Sequence, residues 1–258
     1  FQPIYTAGYI QDKFAIEDLI FNVGLRVDRY DANQKVLKDK YLLYDTYTAS
    51  STKARDLGSL SQFGEDYYVY VDDMENPSTI VGYRNGDVWY DQTGREISNP
   101  DILENAAGGK IAPMVKNSTD ALNNEISAGA FKDYDPQTII MPRIAFSFPI
   151  SDEAQFFAHY DVLTQRPPER SRLNPTEYLF LHNTVGGLMN NPDLKPEKTI
   201  DYEIGFAQTL SLKSALTISL FYKELRDMIQ VMNLPGAYPR DYLTMQNLDF
   251  GTVKGLSV

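Results

Sequence analysis

The chain has no cysteine, two histidines and a single tryptophan among 258 residues. The lack of thiols excludes disulfides, zinc–thiolate sites and cysteine nucleophiles together. With two histidines, any transition-metal site would rest on carboxylates, so no metal and no cofactor are expected. Basic residues are in deficit: 24 Lys and Arg face 35 Asp and Glu, giving a net charge of -11 and a pI of about 4.7. A nucleic-acid partner would require a basic patch, and none is present, so no nucleic acid is expected. An uninterrupted apolar run of about 18 residues is also missing, which excludes a transmembrane helix. Mean hydropathy is -0.36, but barrel strands are only half apolar and disappear in such averages. Tyr and Phe are abundant, at 18 and 13. They suit aromatic girdles at a membrane interface, and equally any β protein.

What the chain does contain is alternation. In 199–206, Ile200, Tyr202, Ile204 and Phe206 point one way, and Thr199, Asp201, Glu203 and Gly205 the other. After a link at Ser211-Leu212-Lys213-Ser214, Leu216, Ile218, Leu220 and Tyr222 oppose Thr217, Ser219 and Lys223. Period two means strand, and the pair reads as an antiparallel hairpin with one apolar and one polar side. Residues 1–30 repeat the logic. Tyr5, Ala7 and Tyr9 form one side of a run that closes at Gln11-Asp12-Lys13; then Leu19, Phe21, Val23, Leu25 and Val27 oppose Asn22, Gly24, Arg26 and Asp28. A third hairpin is expected over 139–164, with Ile140, Pro142, Ile144, Phe146 and Phe148, then Phe156, Ala158, Tyr160 and Val162, on one face. Pro149 is expected to end its first strand. Such alternation fits a soluble sandwich, where the apolar face looks in, and a membrane barrel, where it looks out.

The wording of the hairpins goes further. Asn191-Pro192-x-Leu194-Lys195-Pro196-Glu197, then Asp201-Tyr202-Glu203-Ile204-Gly205-Phe206, then a strand ending Leu220-Phe221-Tyr222-Lys223, closely resembles TonB-dependent outer-membrane transporters. The words Tyr9-Ile10-Gln11-Asp12-Lys13, Met141-Pro142-Arg143 and Gln165-Arg166-Pro167 stand where that family has similar ones. The resemblance implies an all-β fold: part of an antiparallel transmembrane β-barrel with long extracellular loops, in the bacterial outer membrane. The expected division is a barrel hairpin at 1–30, a long extracellular loop region at 31–138 with small hairpins and short helices, a barrel hairpin at 139–164, an extracellular loop at 165–196 and barrel strands at 197–258. The middle region matches only loosely, to the Oar-like branch. A last strand starts near Asn247 and is still running at Val258, and about seven strands with two open edges are visible, so a fragment of a plugged barrel of about 22 strands is expected. The implied partners are outer-membrane lipid, the TonB energy-coupling complex acting through a plug absent here, and a surface lipoprotein lid or other outer-membrane complex. The solute is bulky, and no bond is made or broken. The alternative from another class is a secreted β-sandwich binding or adhesion module.

Residues 31–138 lack strict alternation and carry eighteen acids against ten bases. Asn85-Gly86 and Asp91-Gln92-Thr93-Gly94 read as turns. Asn99-Pro100-Asp101 reads as a helix start, with the helix running to Gly108-Gly109. Ala107-Gly108-Gly109-Lys110 lacks the spacing of a P-loop.

Each candidate site has a plainer reading. Gln165, Arg166, Arg170 and Arg172, on a proline-rich loop, can grip an anionic solute or pair with carboxylates. Trp89 and Tyr90, with Tyr67, Tyr68 and Tyr70, can form a stacking platform or pack a small core. Arg26, Asp28, His159, Asp161, Asp201 and Glu203 fall on the polar faces and are expected to line the lumen. Asp201 and Glu203 would sit about 6 to 7 Å apart along a strand, as a glycosidase pair would; as lumen residues they need no such role. Asp72, Asp73 and Glu75 lack EF-hand spacing and read as a solvated loop before a Ca²⁺ site.

Overall fold

The computed structural model describes residues 2–106, 111–126, 128–183 and 187–258. The chain opens with a hairpin of β1 (Ile4–Ile16) and β2 (Leu19–Asp31). An insert follows, holding β3 (Lys35–Leu37), α1 (Thr52–Asp56), β4 (Tyr68–Val71), β5 (Ile80–Asn85), β6 (Val88–Asp91) and β7 (Glu96–Ile97). It continues with α2 (Asp101–Ala106), β8 (Ala112–Pro113), α3 (Ser118–Leu122) and β9 (Phe131–Asp133). The chain then returns through β10 (Gln137–Ser151) and β11 (Ala154–Gln165), a segment with the short β12 (Leu188–Met189), and finally β13 (Glu197–Ser211), β14 (Ser214–Leu234) and β15 (Tyr242–Ser257).

Seven long antiparallel strands form one open wall in the order β1-β2-β10-β11-β13-β14-β15, and β12 adds parallel pairing to the upper end of β15. Three two-residue turns, Glu17-Asp18, Asp152-Glu153 and Leu212-Lys213, join neighbours at one end. The long connections, 32–136, 166–196 and 235–241, all leave the other end. Short turns on one side and long loops on the other are the arrangement of outer-membrane barrels. The wall is a partial barrel and does not close.

The register aligns the apolar residues in rows across strands. Val23 lies opposite Ile144, Leu25 opposite Pro142, and Phe21 opposite Phe146. Further along, Tyr160, Tyr202 and Tyr222 are successive partners, as are Ala158, Ile204 and Leu220. This face is uncovered: Ile204 is 50% exposed and Leu220 54%. The opposite face carries ion pairs and aromatics laid over glycines. A Cβ on Gly205 would stand 2.2 Å from the Phe157 ring, and one on Gly255 2.6 Å from Phe221, so only glycine lets these rings lie flat across the neighbouring strand.

Four expectations about strand extent need correction. Gln11-Asp12-Lys13 does not end the first strand; all three are paired mid-strand and the turn comes at Glu17-Asp18, with Glu17 at φ 53. Tyr5, Ala7 and Tyr9 lie on the polar face, because the register sets Tyr9 against Arg26 and Ala7 against Asp28, and Ile10, Phe14 and Ile16 supply the apolar row instead. Pro149 does not stop β10, which reaches Ser151 through a register shift that absorbs the missing donor. Finally, β14 runs to Leu234 and β15 starts at Tyr242, five residues before Asn247, with a bulge near Asp227 at φ 56. A strand crosses a bilayer in about 9–11 residues, so half of β14 projects past the wall on the loop side.

That projection carries the insert. The small sheet β7-β6-β5-β4-β8 is covered on both faces. Tyr70, Val81 and Trp89 pack with Tyr41, Leu103, Leu234 and Ala237 on one side. Val69, Val71, Ile80 and Tyr83 pack with Ala49, Ala54 and Phe63 on the other. Ser51 caps α1 by accepting from the Ala54 amide at 3.3 Å. Asn99 Oδ1 accepts from the Asp101 amide at 3.0 Å and starts α2, as its sequence predicts; the expected continuation to Gly108-Gly109, and the Ala107–Lys110 piece, lie outside the described residues. The β5–β6 loop is Gly86-Asp87 rather than Asn85-Gly86, with Gly86 at φ 56 and Asn85 still paired to Val88.

Candidate functional site

On the polar face of the wall, cations and carboxylates from neighbouring strands meet. Arg143 Nε donates to Asp161 at 2.9 Å, Lys223 Nζ to Asp201 at 2.7 Å, and His159 Nε2 stands 3.7 Å from Glu203. Arg26 Nε donates to Asp28 at 2.8 Å, and the Tyr5 hydroxyl donates to the same carboxylate. Arg26, Asp28, His159, Asp161, Asp201 and Glu203 thus share the face opposite the apolar rows. Asp201 is held by Lys223, and Glu203 faces the His159 ring. That is an arrangement for neutralising a strand face. His159 faces Glu203, and Asp161 on the same strand pairs with Arg143 instead.

At the loop end of this face the chain turns into 166–172. The Arg166 guanidinium lies 4.9 Å over the Tyr5 ring, stacking on the residue whose hydroxyl serves Asp28. Gln165 is the last residue of β11 and pairs with Glu197. Arg170 is exposed on a single 3-10 turn that Ser171 ties to the Pro168 carbonyl at 2.7 Å. Arg172 Nε is shut off from solvent without a partner. None of the three arginines makes an ion pair with a carboxylate among the described residues. All three belong to the 166–172 segment that leaves the loop end of the wall.

The aromatic platform does not form. Trp89 is 4% exposed, with its ring 4.9 Å from Tyr70 and 5.5 Å from Tyr41, inside the core that joins the insert to β14. It has no face left for a solute. Tyr90 is half-buried against Phe63 and Tyr67 on the other side of the sheet. The acidic run is also occupied: Asp72 accepts from the Ser78 and Thr79 amides, and Asp73 from those of Glu75 and Asn76. These carboxylates build turns, and no cluster of metal ligands occurs among the described residues.

The residue that sequence reading missed is Arg84. It is fully buried, donates to Asp39 at 2.7 Å, to the Tyr70 hydroxyl at 2.9 Å and to the Gly86 carbonyl at 2.7 Å, and lies over the rings of Tyr41, Tyr68 and Trp89. Burial alone would lower its pKa; Tyr70 and Asp39 outweigh that and hold it protonated. Burial pushes the Tyr70 hydroxyl up to about 12. No spacing in the sequence marks Arg84, since its partners come from 45 and 14 residues away.

A one-side-apolar wall with an uncovered apolar face, tight turns at one end and folded inserts at the other is a segment of a large transmembrane β-barrel. Residues 2–258 match the family described as TonB dependent receptor-like, beta-barrel, and the chain belongs to that family. Among solved structures it is similar to the hemophore receptor HasR of Serratia marcescens, in complex with its hemophore HasA and heme, at TM-score 0.51 and 14% identity, covering 98% of this chain and 31% of that one. It is also similar to the FrpB iron transporter of Neisseria meningitidis, at TM-score 0.45 and 14% identity, covering 98% of this chain and 22% of that one. The chain therefore spans about a third or less of the length of these neighbours. At such identities the likeness is one of fold. No curated protein matches the sequence.

Proposed function

We propose that this chain is wall and outer-face structure of a receptor in the bacterial outer membrane that imports a bulky solute, with energy supplied by TonB through a plug. The observation that carries this reading is the exposed apolar face. A face with Val23, Ile144, Ile204, Leu220 and Leu256 left bare is an aggregation hazard in water and an ordinary surface in hydrocarbon. A soluble sandwich would bury it. In this reading 32–136, 166–196 and the β14–β15 tip stand on the outer side, and the ion-paired face lines the lumen. Gln165, Arg166, Arg170 and Arg172 meet the solute at the rim, and Tyr90 is left as scaffold. Unpaired guanidiniums favour an anionic solute, through charge and bidentate hydrogen bonding. The named cargoes of the neighbours, heme and iron, are consistent with a solute too large or too scarce for passive pores. The chain makes and breaks no bond in this role.

The test is uptake by cells producing the protein, under iron limitation, with and without collapse of the proton gradient. Uptake that depends on the gradient and falls at least tenfold in an Arg166→Ala/Arg172→Ala double variant, with unchanged protein in the outer membrane, is the expected result. Fractionation of the protein away from the outer membrane, in soluble form, would remove the reading altogether.

A further inference from the structure

On the outward, apolar face of the wall the aromatic residues form two rows, and these set the height of what lies above them. Near the tight turns the rings of Phe14, Phe21, Phe146 and Phe156 follow one another at 5.3, 6.2 and 5.9 Å, with Phe206 next in register. Toward the loops Tyr160, Tyr202 and Tyr222 repeat the arrangement at 5.0 and 6.1 Å. Lys198 stands eight residues from Phe206 on β13, which is about 20 Å nearer the loops for a strand rising ~3.3 Å per residue and tilted ~40°. An apolar band about 25 Å tall therefore gives out near Lys198.

At that level two cations stand side by side. Lys198 is directly opposite Arg226, on the same face as Ile200 and Tyr202. Like charges in that relation destabilise a strand pair unless something neutralises them. One carboxylate does part of this, since Arg226 donates to Glu224 of its own strand at 2.6 Å. Lys198 has no ion pair among the described residues. The bulge near Asp227 leaves a shallow hollow of about 480 Å³ beside the pair, with Ile200, Leu248 and Phe250 as its apolar border. Phe250 is 75% exposed and Leu248 50%, so this border is bare. Asp227 and Asp249 reach the same hollow, and Asp249 Oδ1 accepts from the Phe250 amide at 2.8 Å.

An occupant must arrive from the lipid side, carry negative charge for two cations and cover apolar surface. We infer that Lys198 and Arg226 hold the phosphate of an outer-leaflet glycolipid, a phosphomonoester, whose acyl chains run down over Ile200 and the tyrosine row. A phosphomonoester brings up to about two negative charges at neutral pH, and a diester headgroup only one. Arg226 presents a planar fork and Lys198 a point charge, two complementary ways of meeting phosphate oxygens. The carboxylates of Asp227 and Asp249 weigh against a free anion in the hollow. Acyl contacts with the bare apolar border offset that repulsion, which selects a lipid over inorganic phosphate. The site lies on the other side of the wall from the ion pairs of Asp161 and Asp201, so its occupant stays clear of a solute in the lumen.

This site rests on the outer-membrane placement proposed above and not on transport. The experiment is native mass spectrometry and equilibrium binding on the protein purified from outer membranes in detergent, with excess EDTA so that no divalent cation bridges carboxylate to phosphate. The probes are bis-phosphorylated lipid A, the same lipid with its phosphates removed, phosphatidylglycerol and inorganic phosphate. Lipid A is expected to bind, and the dephosphorylated lipid and phosphatidylglycerol to bind at least tenfold more weakly. Inorganic phosphate at the same concentration is expected to displace none of it. Lys198→Ala and Arg226→Ala are each expected to weaken lipid A at least fivefold, with Arg226→Lys recovering part of the loss. Lys213→Ala, in a tight turn at the other end of the wall, is expected to change nothing. Heat-resistant mobility on gels shows that each variant has kept its fold. Equal binding of the dephosphorylated lipid, an unchanged affinity in folded Lys198→Ala, displacement by inorganic phosphate, or binding abolished by EDTA would each overturn the inference. Protein that reaches the outer membrane without a phosphate preference ends this inference and leaves the transport reading standing. Lipid A binding without gradient-driven uptake separates them the other way.

Discussion

Val69 and Ile204 are both β-branched residues in the middle of a strand, and they obey opposite rules. Val69 is fully buried in the insert, while Ile204 is 50% exposed on the wall. In the insert, apolar groups from both faces of a five-stranded sheet are taken out of water, and the polar exception, Arg84, is surrounded by partners. On the wall the apolar rows face outward and the polar groups of the other face pair with one another. A single chain thus folds against two solvents, and the β14–β15 projection is where the rules change over, because Leu234, fully buried, belongs to the insert core although its strand belongs to the wall. The comparison shows that apolar surface is arranged by what lies outside the strand and not by strand character itself.

The sharpest way to break this comparison is at Arg84. Replacement by Met leaves the Asp39 carboxylate and the Tyr70 hydroxyl facing an apolar group inside the core, a loss of about 3–5 kcal/mol for one partner of a buried pair. Arg84→Met is expected to open the insert, seen as new protease cleavage between residues 52 and 113, while the wall keeps its heat-resistant mobility on gels. If wall assembly is lost at the same time, the two regions are one cooperative unit and the division drawn between them is wrong.

Ile204→Lys tests the other rule. Near the middle of β13, a lysine placed in hydrocarbon costs about 2–4 kcal/mol, whereas on a water-facing strand the same change is close to neutral. Denaturant unfolding in lipid bilayers should show the larger figure. An unchanged midpoint would mean that this face does not meet lipid.

How far these regions could be read from residue order follows from the same contrast. Period-two alternation gives away the wall, since one side of each strand is apolar and the other is not: Leu19 to Val27 and Ile200 to Tyr222 were legible without coordinates. Their register was not, and so Tyr5, Ala7 and Tyr9 were placed on the wrong side; only the pairing of Ala7 with Asp28 fixes it. The insert hides for a physical reason. A sheet covered on both faces needs no polar residue at every second position, and Tyr68-Val69-Tyr70-Val71 or Ile80-Val81 then look like no particular period. For Trp89 residue order leaves both a stacking platform and a small core open, because its exposure is decided by Leu234 and Ala237, 145 and more residues away. The arginine row was legible, since three Arg among prolines in a connecting segment stand out.

A smaller effect is expected at Gly205. An alanine there puts Cβ 2.2 Å from the Phe157 ring, which has to tilt off the neighbouring strand. Overpacking of this kind costs about 1–3 kcal/mol. Gly205→Ala should lower the unfolding midpoint of the wall, and adding Phe157→Ala should recover part of the loss, giving a coupling between the two sites. Additive losses would show that the ring does not rest on the glycine.

The smallest effect belongs to the turn between β4 and β5, and it carries a pH sign. Asp72 Oδ1 accepts from the Ser78 and Thr79 amides, both at 3.0 Å, and Oδ2 accepts from the Ser78 hydroxyl at 2.5 Å. The Ser78 hydroxyl first, then the two amides, hold its carboxyl well below the usual 3.8. A folded-state pKa below the unfolded one means that the turn gains stability once the pH is above 3.8, and loses it as the pH falls through the lower folded value. Protection of the Ser78 and Thr79 amides, corrected for intrinsic exchange, should therefore hold steady from neutral pH down to 3.8 and decline only below it. In Asp72→Asn, where no charge remains to be lost, the same protection should be lower and flat across that range. A decline in the wild type that begins well above 3.8 would place the carboxyl outside the turn, and with it the claim that these acids are structural rather than free to bind a cation.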